Sequence, residues 1–480
     1  MNRRMIFYTV GRIITLEAGL LLLPMAVALW YGESCAWDLL ASAAIALVVG
    51  LAMTRLSKPT SQTFFAREGF VIVALAWVFL SLIGMLPYLF SGEIPFWVDA
   101  FFETVSGFTT TGASILTNVE AMSHGLLYWR SFTHWLGGMG MLVFLLAVVP
   151  TETGRSIHIM RAEMPGPIVG KLMPRIKDTA QILYLMYVVL TVVQIVLLMA
   201  GGMPPFESVT HAMATAGTGG FSVKADCFTG YSPYLQWVTA IFMTLFGVNF
   251  NVYYLALRKK FKEILRSTEL WAYLGIILVS IVLVSISIST EYDTLEEIVR
   301  QSAFQVTSII TTTGYASTNF DLWPELAKNI LLILMFLGAC AGSTGGGLKV
   351  SRAILLVKMA RRELKRMIHP RSVGTVQFEG KRVSDATLNS VCMYFVLYVI
   401  ILVALTLFLC INPFSIETNL AAAASCFNNI GPGFGIAGPA SNYSYYNAIS
   451  KFVLTISMLF GRLEIYPMLL ALSPSTWTKE

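Results

Sequence analysis

One short phrase, written four times, constrains this chain more than any other feature. It reads Phe-Thr-Thr-Thr-Gly-Ala-Ser at Phe108–Ser114 and Thr-Gly-Gly-Phe-Ser at Thr218–Ser222. It returns as Thr-Thr-Thr-Gly-Tyr-Ala-Ser at Thr311–Ser317 and, more loosely, as Asn-Asn-Ile-Gly-Pro-Gly at Asn428–Gly433. The aligned glycines, Gly112, Gly220, Gly314 and Gly431, recur about every hundred residues. Each copy follows a short amphipathic stretch and precedes a long apolar one. Soluble repeat arrays stack units of roughly 20–50 residues. The longer period here points to four copies of a membrane-embedded unit meeting around one axis.

The composition agrees. The chain is 56% hydrophobic and 12% charged, against about 25% charged in a soluble domain. Apolar runs at Ile13–Trp30, Leu39–Met53, Phe70–Leu89, Leu126–Val149, Ile182–Ala200, Leu235–Leu257, Leu270–Ile288, Ile330–Cys340, Leu388–Cys410 and Phe452–Leu472 predict roughly ten spans of ~30 Å of hydrocarbon. The basic N-terminus leads into this body with no small-residue cleavage site, so no cleaved signal peptide is expected. The six cysteines lie far apart, without metal or redox spacing.

Charge sorts by side. Arg3, Arg4 and Arg12 precede the first run; Arg55, Lys58 and Arg67, then Arg155, Arg161, Lys171, Arg175 and Lys177, then Arg258–Arg266 and Lys349–Arg382 fill alternate connections. The intervening connections hold Glu93, Asp99, Glu207, Asp226, Glu291, Asp293, Glu296, Glu297 and Asp321. The positive-inside rule then makes the basic connections and both termini cytoplasmic, with all four phrases in outer loops. The expected fold is an all-α polytopic membrane protein. Two leading transmembrane helices (1–67) precede four span–pore-loop–span repeats at 68–155, 178–262, 268–368 and 386–480, the third with an interrupted second span. The net charge of +6 is thus a topology signal, and no nucleic-acid partner is implied. The run Arg361–Arg371 suits anionic lipid or a partner; the plainer reading is a solvated helix end.

Irregular backbone at membrane depth must be buried in protein or line water. Four Thr-Gly turns around one axis would aim carbonyls, and some hydroxyls, into a narrow pore, where they replace the hydration shell of a monovalent cation. Before each turn runs a short helix, Ala100–Thr109, Ser208–Ala216, Glu296–Ile310 or Asn419–Phe427, whose C-terminal dipole favours a cation. Each glycine stands nine residues after an equivalent helix position: Glu103, His211, Gln305 and Ala422. Acidic outer loops would add an attractive vestibule.

With these motifs the chain resembles the TrkH/TrkG/KtrB superfamily of potassium uptake proteins, related to plant HKT transporters, over nearly its whole length. The two leading spans resemble the TrkH branch. The resemblance implies a selectivity filter with potassium as the permeant ion. By position it falls at Thr110, Thr111 and Gly112; Thr218, Gly219 and Gly220; Thr312, Thr313 and Gly314; and Asn429, Ile430 and Gly431. Gly217, Gly219 and Gly220 lie so close together that the second register is open by one residue. The fourth copy has lost its threonines, which predicts weaker discrimination against sodium than in a symmetric filter. The resemblance also implies a homodimer in a bacterial inner membrane, with a cytosolic TrkA-type ring that senses ATP, ADP or NAD.

Leu337–Val350 interrupts the second span of the third repeat with Gly338, Gly342, Ser343, Thr344, Gly345, Gly346, Gly347 and Lys349. It is not a phosphate-binding loop: Leu348 separates Gly347 from Lys349, and no strand precedes it. In TrkH-like proteins the corresponding segment is an intramembrane loop that blocks the pore and moves on activation; a close-packing kink is the other reading. Arg462, inside the last span, is a functional candidate because a charge there costs at least ~2.5–3.5 kcal/mol without water or a partner. The resemblance places it in the pore beneath the filter; a structural salt bridge with Glu464 or another acid is the alternative. Lys349 is expected at the cytoplasmic edge, Arg130 at an outer span end where it would snorkel, and His134 as a packed histidine.

Channel-like potassium uptake is therefore the expected function. A sodium- or proton-coupled symporter is the alternative, for which Glu17 and Glu464 stand out as intramembrane carboxylates. An enzyme is excluded, since no metal spacing, nucleophile elbow or supported carboxylate pair is present.

Overall fold

Capping and apolar length together define the helices. Ser232, Ser267, Ser384 and Asn447 each accept a hydrogen bond from a first-turn amide and start long apolar segments. The computed structural model describes residues 2–59, 66–140, 176–371 and 374–477. Six helical segments there are long and apolar enough to cross a membrane: Arg3–Tyr31, Cys35–Leu56, Arg67–Ser91, Gln181–Ala200, Thr268–Ser287 and Asp385–Leu409. Their outward faces carry Leu29, Val48, Val196, Leu278, Ile286, Val396, Ile400 and Leu407 in exposed positions, an apolar belt suited to lipid.

The last four of these segments each open a repeat. Each is followed by a short helix: Trp97–Phe108, Pro205–Ala216, Leu295–Ile310 or Ile416–Asn428. These begin one to three residues before the expected starts, because the capping groups lie upstream: Thr294 caps Glu297 and Ser415 caps Thr418. The glycine phrase comes next, then a second helix: His124–Gly138, Pro233–Phe246, Glu325–Met335 or Ala448–Arg462.

The second spans depart from expectation. Leu235–Leu257 is two helices, Pro233–Phe246 and Phe250–Leu257, bent by 89°, and Phe452–Leu472 is broken between Arg462 and Tyr466 by 120°. Counting each bent pair as one span gives eight among the described residues. Of the other two expected spans, Ile330–Cys340 contributes only the helix Glu325–Met335, too short to cross. The run Leu126–Val149 is described only to Gly140, and Arg155, Arg161, Lys171 and Arg175 lie outside the described residues. Hydropathy registers apolar length and is blind to a bend, so these breaks could not be read from it. The all-α expectation holds but for one hairpin, in which Gln377 pairs with Arg382 and Phe378 with Lys381.

Candidate ion-conduction site

The four phrases share one backbone pattern. The last turn of each short helix closes with a hydrogen bond from a filter amide to a carbonyl five residues earlier: Thr111 to Ser106, Gly219 to Ala214, Thr313 to Ser308 and Ile430 to Ser425. Such a closure requires a left-handed residue at the helix end. That residue is Thr110 (φ 55°), Thr218 (53°), Thr312 (59°) and Asn429 (57°). Two residues later each chain returns to positive φ at Gly112 (75°), Gly220 (74°), Gly314 (81°) and Gly431 (107°). A β-branched residue at positive φ is strained by about 1–3 kcal/mol, and three of the four copies carry one. The same alternation makes Gly220 the equivalent of Gly112 and Gly314 in the second copy.

The copies close into a ring. A Cβ on Gly112 would overlap the Gly219 carbonyl, one on Gly220 the Thr313 carbonyl, and one on Gly314 the Ile430 carbonyl. A Cβ on Gly431 would come 2.8 Å from the Thr111 carbonyl oxygen, completing the order one, two, three, four, one. The fourth junction is the looser one. Asn429 bridges it, donating from Nδ2 to Thr111 Oγ1 at 2.9 Å.

Hydrogen bonds behind the ring hold it open. Glu103, His211 and Gln305 reach Ser114 (3.0 Å), Ser222 (3.1 Å) and Ser317 (3.2 Å) just after their glycines. Ala422 has no polar atom to do so, and Tyr443 instead donates to the Gly431 carbonyl at 2.8 Å. Ser106, Ser308 and Ser425 donate to Ala113, Tyr315 and Gly431 carbonyls at 2.6, 2.6 and 2.7 Å. The sequence reading passed over these serines, although each stands six residues before its glycine; Ala214 takes the place in the second copy.

Arg130 is not a snorkelling residue. It is buried, its Nε lies 2.6 Å from Glu103 Oε1, and Nη1 donates to the Ser222 carbonyl. A cavity of about 160 Å³ above the ring is lined by all four glycines, Arg130 and Lys224, and by no carboxylate. The expected acidic vestibule is therefore absent at the mouth itself, and Glu207 pairs with Lys224 at 3.3 Å. His134 is fully buried and stacks on Phe221 at 4.1 Å, the packed histidine expected.

Beneath the ring lies the glycine-rich loop. It meets the second, third and fourth repeats directly. Cys340 N donates to the Gly247 carbonyl at 3.1 Å, and Thr344 Oγ1 to the Phe246 carbonyl at 3.2 Å. Gly346 N donates to Thr312 Oγ1 at 2.7 Å, and a Cβ on Gly346 would sit 2.6 Å from the Asn428 carbonyl oxygen. Arg462 closes the circuit to the first repeat: it donates to Thr344 O (2.8 Å), to Thr110 Oγ1 (3.2 Å) and to the carbonyls of Gly137 and Gly138. The loop is thus tied to three repeats directly and, through Arg462, to the first. A second cavity, about 40 Å³, lies against the loop's other side between Trp77, Phe250, Lys349 and Arg462.

Lys349 does not mark an edge. It is buried, and its Nζ donates to the Gly345 and Gly346 carbonyls while its backbone begins the helix Val350–Ile368. Glu464 pairs with Arg352, not with Arg462. Glu269 pins both ends of the loop, accepting from Ala341 N at 2.7 Å and Ser351 N at 3.2 Å. Neither role was legible, because both partners are far apart in sequence.

Comparison with known proteins follows the geometry. The model of the TrkH family, described as cation transport protein, matches residues 39–479. The chain is 35% identical to the Trk system potassium uptake protein TrkH of Salmonella typhimurium, over 99% of this chain and 100% of that one. It is 33% identical to the Trk system potassium uptake protein TrkG of Escherichia coli, over 99% and 98%. The crystal structure of the potassium transporter TrkH from Vibrio parahaemolyticus superposes with a TM-score of 0.90 at 31% identity, covering 100% of both chains.

Proposed function

The chain belongs to the TrkH family of cation transport proteins, a family of transporters and not of enzymes, and we propose that it carries potassium into the cell through the four-segment ring. The observation that carries this reading is the closed cycle of glycine–carbonyl approaches, in which each filter glycine makes room for its neighbour's carbonyl. Such a ring offers oxygens at close quarters without any charged ligand, the arrangement that suits a dehydrated monovalent cation. In this reading Thr110–Gly112, Thr218–Gly220, Thr312–Gly314 and Asn429–Gly431 are the filter. The Gly338–Gly347 loop and Arg462 are the gate, held shut by the contacts described above.

The similarity to Trk-system proteins extends the proposal. A cytosolic TrkA-type subunit would act on the gate through the basic inner connections, with the chain as a homodimer in the bacterial inner membrane and both termini inside. The amphipathic helix Val350–Ile368 supports this: it starts at the end of the loop and carries Lys358, Arg361, Arg362, Lys365 and Arg366. Coupled symport loses Glu464, which is paired with Arg352. It keeps Glu17, which is fully buried with no hydrogen bond to either carboxylate oxygen among the described residues but does not line the cavity above the ring.

The test is growth of a potassium-uptake-deficient bacterium that retains its cytosolic Trk subunits, at low potassium. The wild-type chain should rescue growth and Gly314→Ser should not. Rescue by both, or by neither, would remove the filter assignment.

A further inference from the structure

The four left-handed residues, Thr110, Thr218, Thr312 and Asn429, all carry a side-chain oxygen, even in the copy that has lost its threonines. Three of these oxygens, those of Thr110, Thr312 and Asn429, lie against the loop or Arg462. Thr312 Oγ1 accepts from the loop amide of Gly346 at 2.7 Å, and Thr110 Oγ1 accepts from Arg462 Nη1 at 3.2 Å. The Thr218 hydroxyl donates to the Gly217 carbonyl at 2.6 Å, which leaves its lone pairs available. Asn429 is fully buried and spends its Nδ2 on Thr111 Oγ1 and Met458 O, both at 2.9 Å. Its Oδ1 has no hydrogen bond and lies beside the loop: a Cβ on Gly346 would be 3.2 Å away, and one on Gly461 2.8 Å.

We propose that the side-chain oxygens of Thr110, Thr218, Thr312 and Asn429 form the innermost cation site of the pore, and that the Gly346 amide and the Arg462 guanidinium occupy its ligands when the loop is closed. The proposal rests on the filter reading and adds regulation to it. A lone pair that accepts an N–H cannot also ligate a potassium ion, and the guanidinium brings a positive charge to the same ring. Cation and gate are therefore mutually exclusive ligands of one set of oxygens. By linkage the coupling is reciprocal: a potassium ion arriving through the filter frees the loop, and loop closure expels the lowest ion. Potassium at the filter is in this way an opening ligand of its own gate.

Cys340 provides the readout. It sits on the loop at 1% exposure, so a thiol reagent reaches it only when the loop leaves. The full-length wild-type protein, reconstituted in nanodiscs, is treated with a small methanethiosulfonate reagent. Peptide mass spectrometry follows Cys340, with exposed Cys410 as the reagent control. Potassium is titrated against N-methyl-D-glucamine at constant ionic strength. Competition for one site raises a minor loop-free population about elevenfold at ten times the dissociation constant of potassium for the loop-free site, and Cys340 labelling should rise accordingly. Thr312→Val removes one ligand and one anchor together, so labelling should rise without potassium and its potassium dependence should flatten. Potassium-independent labelling of the wild type overturns the proposal. So does faster labelling of Thr312→Val with the wild-type potassium dependence, because that is the behaviour of a merely structural anchor. The wild-type titration decides alone if the variant does not fold. Failure of the filter reading looks different: Gly314→Ser would then keep its rubidium uptake, whatever Cys340 does.

Discussion

Glu103 Oε1 lies 2.6 Å from Arg130 Nε, and both side chains are buried beside the first glycine phrase. Removing one partner of a buried ion pair strands the other charge, at about 3–5 kcal/mol. Glu103→Gln should therefore lower the thermal transition of the detergent-solubilised protein sharply. The paired change Glu103→Gln with Arg130→Met should recover more than half of that loss. Fluorescence-detected size-exclusion after a temperature series reads both, and a double variant no more stable than the single one would deny that the charges act as a pair.

The filter glycines should not be equally sensitive. Alanine at Gly112, Gly220 or Gly314 would drive a Cβ into a neighbour's carbonyl, whereas at Gly431 it would stop 2.8 Å from the Thr111 oxygen. Positive φ adds about 1–2 kcal/mol at each. Rubidium flux into proteoliposomes should fall at least tenfold for the first three (about 1.4 kcal/mol per decade) and less for Gly431→Ala. Equal losses at all four would deny that the fourth junction is the looser one.

The repeat, the short helices and the break at the glycine-rich loop were legible because each leaves a local signature: a phrase, a cap, a run of glycines. Contacts between repeats left none. The pairing of Arg130 with Glu103 joins residues 27 apart, and Arg352 reaches Glu464 across 112. Charge on an apolar segment announced that Arg462 needed water or a partner, whereas Arg130 and Lys349, read as span-end residues, are buried with partners the sequence did not signal. The register of the second copy is a further case. Gly217, Gly219 and Gly220 are equivalent as letters, and only backbone φ separates Gly220 from Gly219. The broken second spans were hidden for the opposite reason, since apolar residues continue on both sides of each bend.

Acid should loosen the outer end of the leading helices. Glu33 accepts from His124 N (2.7 Å) and Gly125 N (2.9 Å) and meets His124 Nδ1 at 2.8 Å, so it caps the helix His124–Gly138 from another span. Burial alone pushes the Glu33 carboxyl up, but these hydrogen bonds outweigh it and hold it below the ordinary value of 4.5. A lowered carboxylate stabilises the fold above its unfolded value, and that contribution disappears as pH falls through the folded one. Glu33→Gln should cost at most about 1 kcal/mol at pH 7, reduced by solvent at this partly exposed site. The cost should shrink progressively as pH falls below 4.5 and vanish below the folded value, and melting temperatures across that range check the difference.

Arg462 is the other group whose removal has a signed outcome. Its guanidinium holds Thr344 of the loop, Thr110 of the filter and the carbonyls of Gly137 and Gly138 together. Two unit charges 4 Å apart repel by about 4 kcal/mol at an effective dielectric of 20, so a cation beneath the filter is strongly disfavoured while Arg462 remains. Arg462→Ala removes that repulsion and one latch of the loop, yet the Gly346–Thr312 bond and the Lys349 contacts persist. Rubidium uptake into proteoliposomes without a cytosolic partner should consequently rise about tenfold, well short of the full electrostatic effect. Arg462→Lys keeps the charge but loses the planar fork that spans several acceptors, and it should fall between wild type and alanine. Flux unchanged in Arg462→Ala would reduce the residue to a structural tie between the last helix and the first repeat.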